Sequence, residues 1–147
     1  MEKQQYKISI DAPQETVWCI LWDDKTYREW TTPFSPSSQA ITDWEKGSKV
    51  LFVDGAGSGM VARIEEKISN EFMSFIHLGE IKDGKEDLDS PAVKKWAGAH
   101  ENYTLRRVGG QTELTIDMDI NEEFAKMFSE LWPKALAKVK EIAERKG

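Results

Sequence analysis

The chain has 147 residues, 20 lysines and arginines against 26 aspartates and glutamates, a formal charge of −6, one cysteine and six tryptophans. Its 39% hydrophobic content suffices for one domain, residues 1–147, burying about 70% of the unfolded surface and leaving no material for a second. The acidic balance, with no block of Lys or Arg, argues against a nucleic-acid or anionic-membrane partner, and a single Cys19 excludes an internal disulfide and a multi-cysteine zinc site.

No stretch approaches the ~20 apolar residues that span a bilayer, so no membrane insertion is expected. The polar start, Met1 to Gln5, lacks the apolar run of a secretory signal, which makes the cytoplasm the expected location. Residues 3–11 alternate, with Tyr6, Ile8 and Ile10 apolar, and predict a half-buried strand. Asp11 stands at an N-cap position, Pro13 near the first turn, and Val17, Trp18, Ile20, Leu21 and Trp22 form a dense helical face ending near Asp23. A second short helix, residues 24–30, presents Tyr27 and Trp30 before Pro33 and Pro36 stop it.

From Gln39 the pattern is β: residues 40–44, a Glu45-Lys46-Gly47 turn, residues 48–54, then a turn at Gly55, Gly57 and Gly59. Residues 60–68 and 72–81 follow as strands around a Ser69-Asn70 turn. Residues 82–95, charged and holding Gly84 and Pro91, read as an exposed excursion with little regular structure. Strands 99–108 and 111–120 flank Gly109-Gly110, a strong hairpin signal. A long helix then opens at Asn121, with Glu122 and Glu123 favouring the positive end of its dipole. Its apolar stripe runs through Phe124, Met127, Phe128, Leu131, Ala135, Leu136, Val139 and Ile142, interrupted by Pro133.

Two-residue turns fix strand register. Gly109-Gly110 pairs Leu105 with Leu114, Tyr103 with Ile116 and Glu101 with Met118. Ser69-Asn70 sets Ile64 opposite Phe75, Ala62 opposite His77 and Met60 opposite Gly79. Carrying this parity across the excursion places His77 opposite Glu101, Phe75 opposite Tyr103 and Met73 opposite Leu105. The inner face then holds Met60, Ala62, Ile64, Met73, Phe75, His77, Glu101, Tyr103, Leu105, Leu114, Ile116 and Met118, while strand 48–54 is compatible with either Val50/Phe52 or Leu51/Val53 inward. These elements bury their apolar faces together as an α+β helix-grip: a curved antiparallel six- to seven-stranded sheet around a long C-terminal helix, with two short helices after the first strand.

Asp11-Ala12-Pro13, Val17-Trp18, Trp30 before Pro33, Trp44 with Gly47, and Gly59-Met60 then follow in an order that continues through Ser74, His77 and Gly79. Trp96, Gly98, Glu101, Asn102, Tyr103, Trp132, Pro133 and Leu136 complete it. In this order and spacing nearly the whole chain resembles the START-like (SRPBCC) superfamily with the birch-pollen-allergen fold. Within it, the chain resembles the family of homologues of the activator of the ninety-kilodalton heat-shock protein ATPase (AHSA-like). The resemblance implies a cavity between sheet and helix that accepts apolar small molecules. Relatives of this kind include cyclases or dehydratases, lipid carriers and proteins acting with a chaperone.

His77 and Glu101 are the sharpest polar candidates. On an otherwise apolar face they either orient a ligand by hydrogen bonds or satisfy each other as a buried pair. His100, next in sequence to Glu101, points to the opposite face. Cys19, with no basic neighbour in sequence, reads as a core thiol. Trp18, Trp22 and Trp132 read as helix packing, Trp44 carries no assigned role, and Trp30, Phe34 and Trp96 beside loops either close a cavity mouth or anchor those loops. Asp83, Glu86, Asp87 and Asp89 lack the spacing of a calcium loop, so no metal and no cofactor are expected. A ligand entering between the loops near residues 30–34 and 82–96 would meet Trp30, Phe34, Met60, Ile64, Phe75, His77, Trp96, Glu101, Tyr103, Ile116, Met118, Phe128 and Trp132. The expectation is a monomer or weak dimer that binds an apolar small molecule or lipid. The alternatives are an enzyme of the polyketide cyclase or dehydratase type using His77 or Glu101 as acid or base, and a chaperone ATPase co-regulator.

Overall fold

Alternation in the first strand, β1 (Glu2–Ile10), turns Tyr6, Ile8 and Ile10 inward and leaves Lys3, Gln5, Lys7 and Ser9 exposed. The computed structural model, which describes residues 1–146, continues with α1 (Gln14–Trp22), α2 (Asp24–Trp30), β2 (Gln39–Ile41), β3 (Lys49–Val53), β4 (Gly59–Ile68) and β5 (Phe72–Lys82). Then come β6 (Lys85–Asp87), α3 (Pro91–Lys94), β7 (His100–Val108), β8 (Gln111–Ile120) and α4 (Glu122–Lys146). Gly147, the last residue of the expected domain, lies outside the described residues.

The strands form one curved antiparallel sheet in the order β1-β8-β7-β5-β4-β3-β2, with β6 paired to the far end of β5. The architecture is the expected α+β helix-grip, with eight strands where six or seven were anticipated. The extra strand and α3 both lie in the segment expected to be irregular. Asp83 and Gly84 adopt left-handed backbone (φ 51° and 80°) and fold Lys85 back onto Lys82, a two-residue hairpin turn that their sequence favours. Ser90 then caps α3, its Oγ accepting from the Val93 N–H at 3.3 Å, with Pro91 at the first helical position.

Helix α1 starts later than expected: Pro13, not Asp11, flanks its first residue, and the Asp11 N–H donates instead to Glu144 Oε2 at 3.0 Å. Val17, Trp18, Ile20, Leu21 and Trp22 are buried, whereas Glu15, Cys19 and Asp23, spaced by one turn, share the outer face. Cys19 is therefore an exposed thiol and not the core residue anticipated. Helix α4 packs against β1, α1 and α2. Its second half buries Trp132, Ala135, Leu136, Val139, Ile142 and Ala143, but in the first turns Phe124 and Met127 remain 41% and 46% exposed.

The Gly109-Gly110 hairpin pairs Glu101 with Met118, Tyr103 with Ile116 and Leu105 with Leu114, as expected. Strand β3 turns Val50 and Phe52 inward, and Leu51 and Val53 pack with Val61 and Ile81 on the other face. Between β4 and β5, Ile64 faces Phe75 and Ala62 faces His77, but the loop at Asn70 is one residue longer than supposed and two bulges, at Glu65 and Leu78, shift the pairing. Met60 consequently faces Glu80 instead of Gly79. Between β5 and β7 the register is two residues from expectation: Phe75 faces Glu101 and Met73 faces Tyr103, so His77 is not opposite Glu101. An even shift preserves which side chains point inward.

Gly59 starts β4 so close to β3 that a Cβ there would lie 1.8 Å from the Phe52 carbonyl oxygen. Gly59→Ala is expected to cost about 2–3 kcal/mol, because backbone cannot yield as a side chain would. Urea unfolding checks this; an unchanged midpoint would show that the β3–β4 spacing is relaxed.

Candidate functional site

A cavity of about 620 Å³ lies between the inner sheet face and the helices α2 and α4. Tyr27, Trp30, Thr31 and Phe34 wall it from α2 and the turn that follows; Phe52, Met60, His77, Glu101, Tyr103 and Met118 wall it from the sheet; Phe124, Met127, Phe128 and Trp132 wall it from α4. Ala92, Lys95 and Trp96, from α3 and the turn after it, stand at its mouth with Asp54, Ser58, Glu80 and Glu123.

Its inner end is closed by aromatic side chains. The Trp22 ring meets Tyr103, Trp44 and Phe75 at centroid distances of 4.8, 5.1 and 5.5 Å. Toward the open end, Phe34 packs on Trp132 at 5.0 Å and on Phe128 at 6.0 Å. Such offset and edge-on contacts hold rings rigidly, so these walls resist collapse.

Strand pairing brings the polar groups together. Phe75 is directly opposite Glu101, which makes His77 its diagonal neighbour on the same face, within reach of a long side chain. The bulged Leu78 follows His77, whose N–H and C=O turn to Ala99 and Gly98 at 2.8 Å each as β7 leaves β5. Because a carboxylate only accepts, His77 Nε2–H donates to Glu101 Oε1 at 3.1 Å, and the Tyr103 hydroxyl donates to Oε2. The two paired side chains are 10% and 15% exposed. His77 Nδ1 is buried without a protein partner, as is the indole N–H of Trp132. Burial, then the Glu101 charge and hydrogen bond, push the Tyr103 phenol well above its ordinary range; burial, then the Glu101 charge, do the same to Tyr27.

Of the thirteen residues anticipated on sequence, Trp30, Phe34, Met60, His77, Trp96, Glu101, Tyr103, Met118, Phe128 and Trp132 face the cavity. Ile64, Phe75 and Ile116 do not: they are fully buried in the closed core. Trp30 is 1% exposed, its Nε1–H donating to the Leu21 carbonyl at 3.2 Å, so it is a fixed wall and not a gate. Trp44 takes φ 62° and joins the inner aromatic cluster. His100 lies on the opposite sheet face beside Glu65 at 3.3 Å and Asp119 at 3.7 Å. Tyr27, Phe52, Phe124 and Met127 line the site in addition to the expected residues; the one-turn spacing of Tyr27 from Trp30 is the sequence signal for the first of them. Among the described residues no group of three or more His, Cys, Asp or Glu is placed to hold a metal ion.

The family model described as activator of Hsp90 ATPase homolog 1-like protein matches residues 11–144. A search of curated proteins found no match. Among solved structures, the Aha1 dimer of Colwellia psychrerythraea is 20% identical over 98% of this chain and 97% of that one, with a TM-score of 0.73. A protein of Mesorhizobium loti is 14% identical over 99% of both chains, with a TM-score of 0.76. DynU16, from the dynemicin biosynthetic locus, is 14% identical over 98% of this chain and 48% of its own, with a TM-score of 0.73. At these identities the likeness establishes a shared fold.

The buried phenols set an alkaline limit on stability. Tyr27 and Tyr103 keep their protons above the unfolded value near pH 10, so their contribution is complete below about pH 10 and is lost as pH rises toward their folded values. Urea unfolding across alkaline pH should show this contribution level up to about pH 10 and then falling by about 1.4 kcal/mol per pH unit for each tyrosine. Tyr27→Phe should remove one such share; an unchanged slope would contradict the burial argument.

Proposed function

The chain belongs to the family of activator of Hsp90 ATPase homolog 1-like proteins, and we propose that it binds an apolar small molecule or lipid in the cavity between the sheet and the first turns of α4. The observation that carries this reading is a cavity of about 620 Å³ with aromatic walls and a hydrogen-bonded carboxylate within them. That volume is ordinary for a small-molecule site, and a few polar groups in an apolar wall give orientation. Phe124 and Met127, exposed on α4, extend the apolar surface to the mouth. The protein so described works as one domain, as a monomer or weak dimer. We assign it to the cytoplasm, where an exposed, unpaired Cys19 is compatible with the reducing environment.

The hydrogen-bonded series from Tyr103 through Glu101 to His77 favours a second reading, acid/base catalysis on a carbonyl compound by His77 or Glu101. Loss of the ligand over time separates that reading from binding. A chaperone co-regulator role rests on the family description, and the ATPase rate of the chaperone with and without this protein tests it.

Titration with the neutral apolar probe N-phenyl-1-naphthylamine should give a saturable fluorescence rise at one equivalent. Met60→Trp, which fills the cavity from β4, should weaken the probe at least about tenfold with the thermal midpoint little changed. A probe that does not saturate, or whose affinity ignores Met60→Trp, would contradict the proposal.

A further inference from the structure

The charge around the cavity is one-sided. Acidic residues outnumber basic ones in its lining, with Asp54, Glu80, Glu101 and Glu123 against Lys95; Asp119 also borders it, but its carboxylate lies on the outer sheet face beside His100. Asp119 is already engaged by Lys3 Nζ at 2.8 Å and by the His100 N–H at 3.0 Å. Glu101, the most enclosed of those with a wall position, has no Lys or Arg beside it among the described ion pairs; its partners are a phenol and an imidazole. Two hydrogen bonds occupy only part of a carboxylate's accepting capacity, and neither partner is a permanent cation of the Lys or Arg kind.

Three further features point the same way. The lining includes the aromatic rings of Tyr27, Trp30, Tyr103 and Trp132, and aromatic rings attract a cation that has left water. The charge of Glu101 is felt on both Tyr27 and Tyr103, whose ionisation it opposes after burial does. His77 Nδ1 is buried and unpartnered, and in the neutral tautomer whose Nε2–H donates to Glu101 it is an acceptor that suits an N–H donor. The buried Trp132 indole N–H is a neutral donor and does not offset the carboxylate. A fatty-acid headgroup would meet like charge at the mouth and again at Glu101.

We propose that the ligand is an organic cation, a protonated amine with an aromatic or apolar body, whose head sits against Glu101 while its body lies along Trp30, Phe34 and Trp132. This inference rests on the cavity-binding reading and names the ligand class for the same site. It places the selectivity of the pocket in Glu101, with Glu80 and Glu123 adding a salt-sensitive attraction at the entrance.

Calorimetric titration with an isosteric series tests it: 1-naphthylmethylamine, 1-naphthylmethanol and 1-naphthoate, at neutral pH and physiological salt. The amine is expected to bind about tenfold or more tightly than the alcohol, and the carboxylate about tenfold or more weakly than the alcohol. Glu101→Gln should bring the amine to within about threefold of the alcohol, the comparison being the amine-to-alcohol ratio within the variant. The ranking in the unmodified protein stands as a test of its own should Glu101→Gln fail to fold. Naphthoate binding as well as the amine, or an amine preference that survives Glu101→Gln, overturns the inference. Alcohol binding with no preference for the amine overturns this inference alone, whereas absence of binding by all three overturns the cavity-binding reading with it.

Discussion

A single helix cannot cover a curved sheet of eight strands, and the rest of the molecule follows from how that mismatch is resolved. Helix α4 lies along β1 and against α1 and α2. Its second half reaches the core through Ala135, Leu136, Val139 and Ile142, and the width that remains at this end is filled by Trp18 and Trp22 from α1. Pro133 marks the division. It has no N–H to donate to the Ser129 carbonyl, and the stripe on its N-terminal side, Phe124 and Met127, is exposed where the stripe beyond it is buried. Filling the open end would need side chains that the sheet and α2 do not supply, and the aromatic rings that border it are held by one another. The result is a space and not a looser core.

Within that space one polar group is placed at a stability cost. A carboxylate in an apolar wall costs several kcal/mol unless it is hydrogen-bonded, and an apolar side chain of similar size would often serve stability better. Glu101 is held by Tyr103 from its own strand and by His77 from β5. The second contact depends on local irregularity: β5 exchanges β7 for β6 as its partner just beyond His77, and Leu78 bulges on the side facing β4. Bulges of this kind re-aim side chains next to functional sites. A polar chain assembled from two strands at a break in the ladder has its simplest explanation in ligand orientation.

Much of this was legible in the sequence because its signals are local. Gly109-Gly110 sets the β7–β8 register residue by residue, and alternation in β1 sets its inward face. Interactions that depend on more distant geometry were not legible. The two-residue slip between β5 and β7 arises because the chain between them forms its own hairpin and a short helix, which no parity argument can count across. Even so, His77 and Glu101 meet, because a shift of two keeps them on one face and their side chains span the diagonal. Asp83-Gly84 carries a hairpin signal within a run of charge that obscures it, and Cys19, though flanked by apolar residues, shares with Glu15 and Asp23 the one-turn spacing that places it outside. Phe124 and Met127 belong to a good amphipathic stripe, and periodicity alone cannot say that the surface they would cover lies out of reach. The cavity is a property of where α4 rests, and only the assembled fold reveals it.

The space under the first half of α4 is expected to admit a ligand while the rest of the core stays closed. Indole N–H resonances in a two-dimensional NMR titration with a neutral naphthalene probe test this most directly, since the six tryptophans divide between the two regions. Saturable shifts are expected at Trp30, Trp96 and Trp132, with Trp18, Trp22 and Trp44 nearly unmoved. Equal shifts at all six, or none at Trp132, would contradict it.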